Sequence, residues 1–524
     1  MKKITLFDTT LRDGCQGEKI SFSVEDKLRI ARKLDAFGIH YIEGGWPGSN
    51  PRDALFFEQA RKEHWQNARL VAFGSTRRAG VSPDQDQNLN MLLQAETSAI
   101  SMFGKTWEKH ATVALGVSRE ENCQMIFDSV EFLKQRGREV IYDAEHFFDG
   151  YKDDPEYAIS TLQAAIAGGA SVVVLCDTNG GSLPEEVFEI ASRVHSEVPC
   201  TVGIHTHNDG EMAIANTLAA VRAGALHVQG TINGFGERCG NANLVSVIAN
   251  LQLKMAFRCV SNEQLASLTE LSAFVYELAN VAPRDEAAFV GKSAFAHKGG
   301  VHVSAVMKDP TTYEHLAPEQ VGNSRRVLVS DLSGRSNVRY KMSELGIDLR
   351  DGDDANAIVQ EIKRLEHEGY HFEAADASLE LLVKRHRREI PVFFQLSGFR
   401  VAVERDSADL PRSEASIRVS VDGHLEHTAA EGNGPVNALD NALRKALLRF
   451  YPEIALMRLA DYKVRVLNDG RGTAARVRVL IESQSGERRW STIGVSENII
   501  EASWEALVDS FTYFLYKKHH FHPH

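Results

Sequence analysis

The chain has 524 residues, 43% of them hydrophobic and 25% charged, a composition that suits a globular protein with room for about three domains. A formal net charge of −12 argues against nucleic acid or an anionic membrane as the main partner. No apolar run approaches the roughly 18 residues of a membrane span, and Met1-Lys2-Lys3-Ile4 enters a strand too soon to hold a signal peptide. Six cysteines (Cys15, Cys123, Cys176, Cys200, Cys239 and Cys259) are scattered without a Cys-x-x-Cys pair. That is the pattern of reduced thiols, so the expected compartment is the cytoplasm. Cys15 and Cys239 are read as small packing residues rather than nucleophiles.

In chain order, strands are expected at Ile4–Asp8, His40–Glu43, Arg69–Phe73, Ser98–Phe103, Val140–Glu145, Ser171–Asp177, Thr201–His205 and His227–Ile232. Amphipathic helices separate them. Ser23 should cap Val24–Phe37, whose Leu28, Ala31, Leu34 and Phe37 share one face before Gly38. Ser82-Pro83, Pro155, Pro184 and Asp209-Gly210 mark later helix starts. Eight such units over residues 1–265 fit an α/β fold of the (β/α)8 TIM-barrel type better than an open sheet.

From 266 to 390 the alternation stops, as expected of linker subdomains. Ala294-Phe295-Ala296-His297-Lys298-Gly299-Gly300-Val301-His302 stands out there, followed by Gly322 to Arg335 and a charged helical spacer from Asp348 to Arg388. Residues 391–524 carry an internal repeat. Strands at Val392–Val403, Ala415–Val421 and His424–Ala430 precede a helix at Val436–Phe450. Strands at Tyr462–Leu467, Ala474–Ile481 and Arg489–Val495 precede a helix at Ile499–Leu515. Two βββα halves make a C-terminal α+β module, either regulatory or plainly dimerising.

The chemistry gathers at strand ends. Asp8-Thr9-Thr10-Leu11-Arg12-Asp13-Gly14-Cys15-Gln16 follows the first strand, where an ordinary solvated turn is the alternative reading. His205-Thr206-His207-Asn208-Asp209 places two imidazoles on one face. Gly234-Phe235-Gly236-Glu237-Arg238-Cys239-Gly240-Asn241 adds a neutral oxygen donor. Asp13, His205, His207 and Asn241 make a mixed oxygen and nitrogen set suited to Mg, Mn or Zn. The glycine-rich segment is one residue too long for a dinucleotide loop and follows the eighth strand, so a Rossmann site is rejected.

Asp-Thr-Thr-Leu-Arg-Asp-Gly-x-Gln, His-x-His-Asn-Asp and Gly-x-Gly-Glu-Arg-x-Gly-Asn together resemble the isopropylmalate, homocitrate and citramalate synthase family over nearly the whole chain. Tyr41-Ile42-Glu43-Gly44-Gly45-Trp46-Pro47-Gly48-Ser49-Asn50-Pro51 and the stretch from Phe372 to Leu382 resemble its citramalate branch. The resemblance implies a metal-dependent condensation of acetyl-CoA with a 2-oxo acid, pyruvate in that branch and a larger acid in the others. It implies roles for Arg12 on the oxyanion, Glu43 as its partner, Gln16 and Thr178 on substrate, and Glu145 in enolisation. His302, with His297 as second choice, matches the family's linker base, and Tyr313 stands where a tyrosine accompanies it. It also implies a homodimer and an amino-acid effector of the C-terminal module, isoleucine by branch. An acyl-CoA lyase shares the barrel motifs but lacks the tail from Pro391. A non-catalytic amino-acid sensor would explain that tail but not a full metal set.

Overall fold

Short runs of β-branched and apolar residues, such as Val172-Val173-Val174-Leu175, suit strands buried on both faces. Eight of them form parallel strands: β1 (Thr5–Asp8), β2 (Tyr41–Gly45), β3 (Arg69–Ser75), β4 (Ala99–Lys105), β5 (Glu139–Glu145), β6 (Val172–Asp177), β7 (Thr201–Thr206) and β8 (His227–Gly230). They pair in chain order, and β8 pairs back onto β1, closing the barrel. The structure is a computed structural model and describes residues 2–329, 335–344, 352–405, 411–467 and 475–520. All eight expected strands are present. Inward-facing Phe7, Val71, Ala99, Ile141, Val172 and Val174 fill the interior, so the barrel is a packed core and not a pore.

The helices between the strands begin and end for local reasons. Ser23 caps Val24–Phe37 by accepting the Asp26 N–H, and the Asp26 carboxylate returns the bond to the Ser23 N–H. Such a cap stabilises a helix by about 1 kcal/mol. Gly38 ends that helix at φ +97°, a conformation costly for any side chain bearing a Cβ. The third helix departs from expectation. It runs Gln87–Gln94 and is capped by Asp86, while Ser82-Pro83 forms a preceding turn. The Asp86 carboxylate accepts the Leu89 N–H at 3.0 Å, which sets the start four residues later.

The chain divides into two compact units, Met1–Phe295 with His315–Arg325, and Ala296–Glu314 with Arg326–His524. In the second, two helices occupy the expected spacer, Gly352–His367 and Asp376–His386. The expected spacer start at Asp348, residues 330–334 of the Gly322–Arg335 stretch and the strand start at Ala474 lie outside the described residues.

The repeat is present as two three-stranded antiparallel sheets, each followed by a helix. The first comprises Gln395–Arg405, Pro411–Val421 and His424–Gly432, and the second Arg458–Val466, Val477–Ser485 and Arg488–Ser496. Helix Pro435–Leu447 buries Leu439, Leu443 and Leu447, spaced four apart. Each fully buried leucine contributes about 1.5–3 kcal/mol. Helix Ile499–His520 buries Trp504, Leu507, Phe511 and Leu515 in the same core. Among the described residues no helix is long and apolar enough to cross a membrane.

Candidate active site

Every barrel residue singled out in the motifs stands at the carboxyl end of a strand, the face where barrel active sites form. Asp13 lies in the turn after β1, Glu43 is on β2, Glu145 ends β5 and Thr178 follows β6. His205 is on β7 and His207 just beyond it. Asn241 comes from the loop after β8 and is held beside His207 by a backbone bridge. That close approach explains the glycine at 236, where a Cβ would stand 1.8 Å from Asn241 Oδ1. Cys239 in the same loop is exposed, so its expected packing role is wrong: the tight turn between Gly236 and Gly240 turns its side chain out to solvent.

Asp13, His205 and His207 are buried and their ligand atoms lie within 4.8 Å of one another. His205 Nδ1 donates to Gln229 Oε1 at 2.9 Å, leaving Nε2 as the coordinating atom. His205 Nε2 stands 3.3 Å from His207 Nε2 and 3.3 Å from Asp13 Oδ2. Electron-rich atoms meeting that closely in a buried site need a proton or a cation between them. Burial disfavours protonated His205, but Asp13 outweighs it and raises the imidazole above its ordinary value. Burial, with the neighbouring His205, pushes His207 down to about 3, so it is neutral. Burial opposes the Asp13 charge, yet Arg12 and His205 hold its carboxyl well below the usual range. The trio therefore offers one carboxylate and two imidazole donors, and it fits a divalent ion. Asn241 directs its amide nitrogen at the cluster, 2.8 Å from Asp13 Oδ2, while its oxygen is buried without a partner. Exchanging the two by an amide flip turns the expected oxygen donor onto the cluster.

Arg12 lies beside this cluster. Its Nε donates to Glu43 Oε2 at 2.7 Å, and its guanidinium stacks 3.8 Å from the centre of the Phe73 ring. Burial pushes the Glu43 carboxyl up to about 7, against the pull of Arg12. Arg12, Asp13, Gln16, Glu145, Thr178, His205 and His207 line one cavity of about 250 Å³. Trp46, Phe73 and Phe103 form its apolar wall, with ring centroids 5.4–5.7 Å apart. The Thr178 hydroxyl accepts the His146 N–H at 2.9 Å, so its own proton is available to another acceptor. Glu145 is paired with Lys105.

His302 and Tyr313 belong to the second unit, where their rings meet in a tilted contact with centroids 4.3 Å apart. His297 is buried there and hydrogen-bonded to Glu314.

Sequence reading missed a chain of buried polar groups behind the Asp13–His205–His207 cluster. Gln229 Nε2 donates to Asp143 Oδ1 at 2.9 Å, and Ser101 Oγ donates to Asp143 Oδ2 at 2.6 Å. The available signal was Ser101, Asp143 and Gln229, polar residues within the β4, β5 and β8 strands.

Comparison with known proteins matches residues 3–275 to the HMGL-like family and 289–370 to the homocitrate synthase post-HMGL domain-like family. Residues 373–515 match the LeuA allosteric (dimerisation) domain. An "(R)-citramalate synthase" from Geobacter sulfurreducens is 59% identical over 519 residues, covering 99% of this chain and 98% of that protein. One of the same name from Aquifex aeolicus is 56% identical over 519 residues, covering 98% of both. A "Probable 2-isopropylmalate synthase" from Methanopyrus kandleri is 32% identical over 509 residues, covering 97% of both.

Proposed function

This chain belongs to the (R)-citramalate synthase family, and on that premise we propose that it condenses acetyl-CoA with pyruvate to give citramalate and CoA. The observation that carries the reading is the convergence of Asp13, His205 and His207 beside the Arg12–Glu43 pair in one cavity. Asp13, His205, His207 and the amide of Asn241 would hold the metal, Mg, Mn or Zn, and when bound it supplies Lewis-acid polarisation of the 2-oxo group.

The chain's own residues do the rest. Arg12 stabilises negative charge as it develops on the carbonyl oxygen of pyruvate, being permanently charged and a planar donor. Glu43 and the Phe73 ring fix its guanidinium, so little reorganisation is needed as that charge forms. Thr178 and Gln16 bind the substrate carboxylate, and the Trp46–Phe73–Phe103 wall receives the methyl group. His302, next to Tyr313, takes a proton from the acetyl methyl, and the freed electron pair forms the bond to the carbonyl carbon. Glu145 assists that enolisation, and water then cleaves the thioester.

The test of the reaction is CoA release with a series of 2-oxo acids. Pyruvate should give the higher kcat/KM, about tenfold or more above 2-oxoisovalerate, because two extra methyl groups must enter an aromatic-walled pocket. A clear preference for 2-oxoisovalerate would instead assign isopropylmalate synthesis.

The proposal extends to regulation. Isoleucine, the end product of the pathway that citramalate feeds, would bind the C-terminal module and inhibit the barrel without competing with pyruvate. The repeat, its match to an allosteric domain and the Gly432-Asn433-Gly434 turn before helix Pro435–Leu447 support this. The protein would act as a cytoplasmic homodimer through the same module, as the name of that domain suggests. Truncation after Glu389 should abolish isoleucine inhibition and keep part of the turnover. Helix Asp376–His386 would then lack the Ser378 contact with the Ile493 N–H. Isoleucine sensitivity that survives truncation would put the effector site in the barrel.

A further inference from the structure

His302 and Tyr313 are both exposed, and their mutual ring contact is too weak to fix two mobile side chains by itself. Close to them in the chain stands a buried pair that the reaction does not otherwise use. His297 Nε2 stands 3.0 Å from Glu314 Oε1, with both residues under 10% exposed. Glu314 directly follows Tyr313 in the chain. His297 precedes His302 by five residues, with Gly299 as the cap and Gly300 as the first residue of the short helix that carries His302.

We propose that His297 and Glu314 are positioning residues, a buried strut that holds the segments bearing His302 and Tyr313 in register. The proposal rests on the reading of His302 as the base. One end of the strut is fixed in the second unit's own framework. Ala296–His297 pairs in parallel with Arg326–Val327, and the His297 carbonyl accepts the Leu328 N–H at 2.9 Å. The fully buried Asn337 amide donates to the carbonyls of Lys298 and Leu328 at 2.8 and 3.0 Å.

The other end is fixed by its turn. Asp309 caps Pro310–Thr312 by accepting the Thr311 N–H, and helix Gly300–Val306 buries Val303 and Val306. Between these anchors the His297–Glu314 bond is a buried side-chain link from one segment to the other. A buried hydrogen bond, shielded from competing water, resists the displacement that an exposed ring contact allows.

The test measures kcat, KM for pyruvate, thermal unfolding, and the deuterium isotope effect with methyl-deuterated acetyl-CoA. His297→Ala and Glu314→Ala should each lower kcat about 100-fold, the cost of a base misplaced by roughly 1 Å. KM for pyruvate should stay within about twofold, since the substrate's own contacts are intact. The isotope effect should rise above wild type, because proton abstraction becomes more rate-limiting. The double variant should be no worse than either single one, as members of one pair are not additive. Glu314→Gln should recover most of the turnover, since its amide oxygen still accepts a hydrogen bond.

Lost turnover with an unchanged isotope effect would indicate fewer folded molecules and overturn the strut. So would wild-type kcat in both alanine variants while His302→Ala is inactive. Wild-type turnover in His302→Ala would instead remove the reading of the base on which the strut depends.

Discussion

Asp13→Ala and His207→Ala should each lower kcat by about 1000-fold or more. A metal-polarised carbonyl is worth several kcal/mol in the transition state, and each 1.36 kcal/mol is a factor of ten. Both side chains are buried within a cluster of three donors, and no other described acidic, histidine or cysteine residue joins that cluster. Loss of either one leaves the other two and the neutral Asn241 amide, a weaker set for holding a divalent ion in a site that also admits substrate. The fold should survive, because Arg12 keeps its 2.7 Å bond to Glu43 when Asp13 is removed. Metal content measured on the purified variants should fall in step with activity. Wild-type turnover in either variant, with metal content lost, would separate the metal from the chemistry.

Arg12→Ala should lower kcat by about 100- to 1000-fold, the usual cost of removing one donor to a developing oxyanion. KM for pyruvate should move less than kcat, since the interaction strengthens as charge forms. Arg12→Lys should recover little. An ammonium cannot both donate to Glu43 and lay a planar cation over the Phe73 ring, as the guanidinium does through Nε. Glu43 would then hold a buried carboxylate with a poorer partner, and burial already pushes it up to about 7. Near-normal kcat in Arg12→Lys would show that only a positive charge is needed there.

Much of this was legible because the signals are short and periodic. The eight strands are apolar or β-branched runs between glycines, prolines and caps, and the pairing in chain order follows from their alternation with helices. His205 and His207 share a face because strand side chains repeat every two residues. The start of the third helix was not legible, because Asp86 and Ser82 are equally good caps by type and only the fold chooses between them. Nor was the Ser101–Asp143–Gln229 chain, whose members come from three strands and meet only inside the closed barrel. The aromatic wall was missed for the same reason. Trp46, Phe73 and Phe103 follow or occupy different strands, and each reads alone as ordinary core. The His297–Glu314 bond spans 17 residues across a turn, with no periodicity to announce it.

The central claim, a metal-dependent condensation of acetyl-CoA with pyruvate, is tested most directly on the unmodified protein. Enzyme stripped of metal by a chelator is mixed with pyruvate and acetyl-CoA, and citramalate and free CoA are followed as Mg or Mn is returned. The expected result is no citramalate in the stripped enzyme, and stoichiometric citramalate and CoA once metal is added. Citramalate formed at full rate without metal, or CoA released with no citramalate, would contradict it.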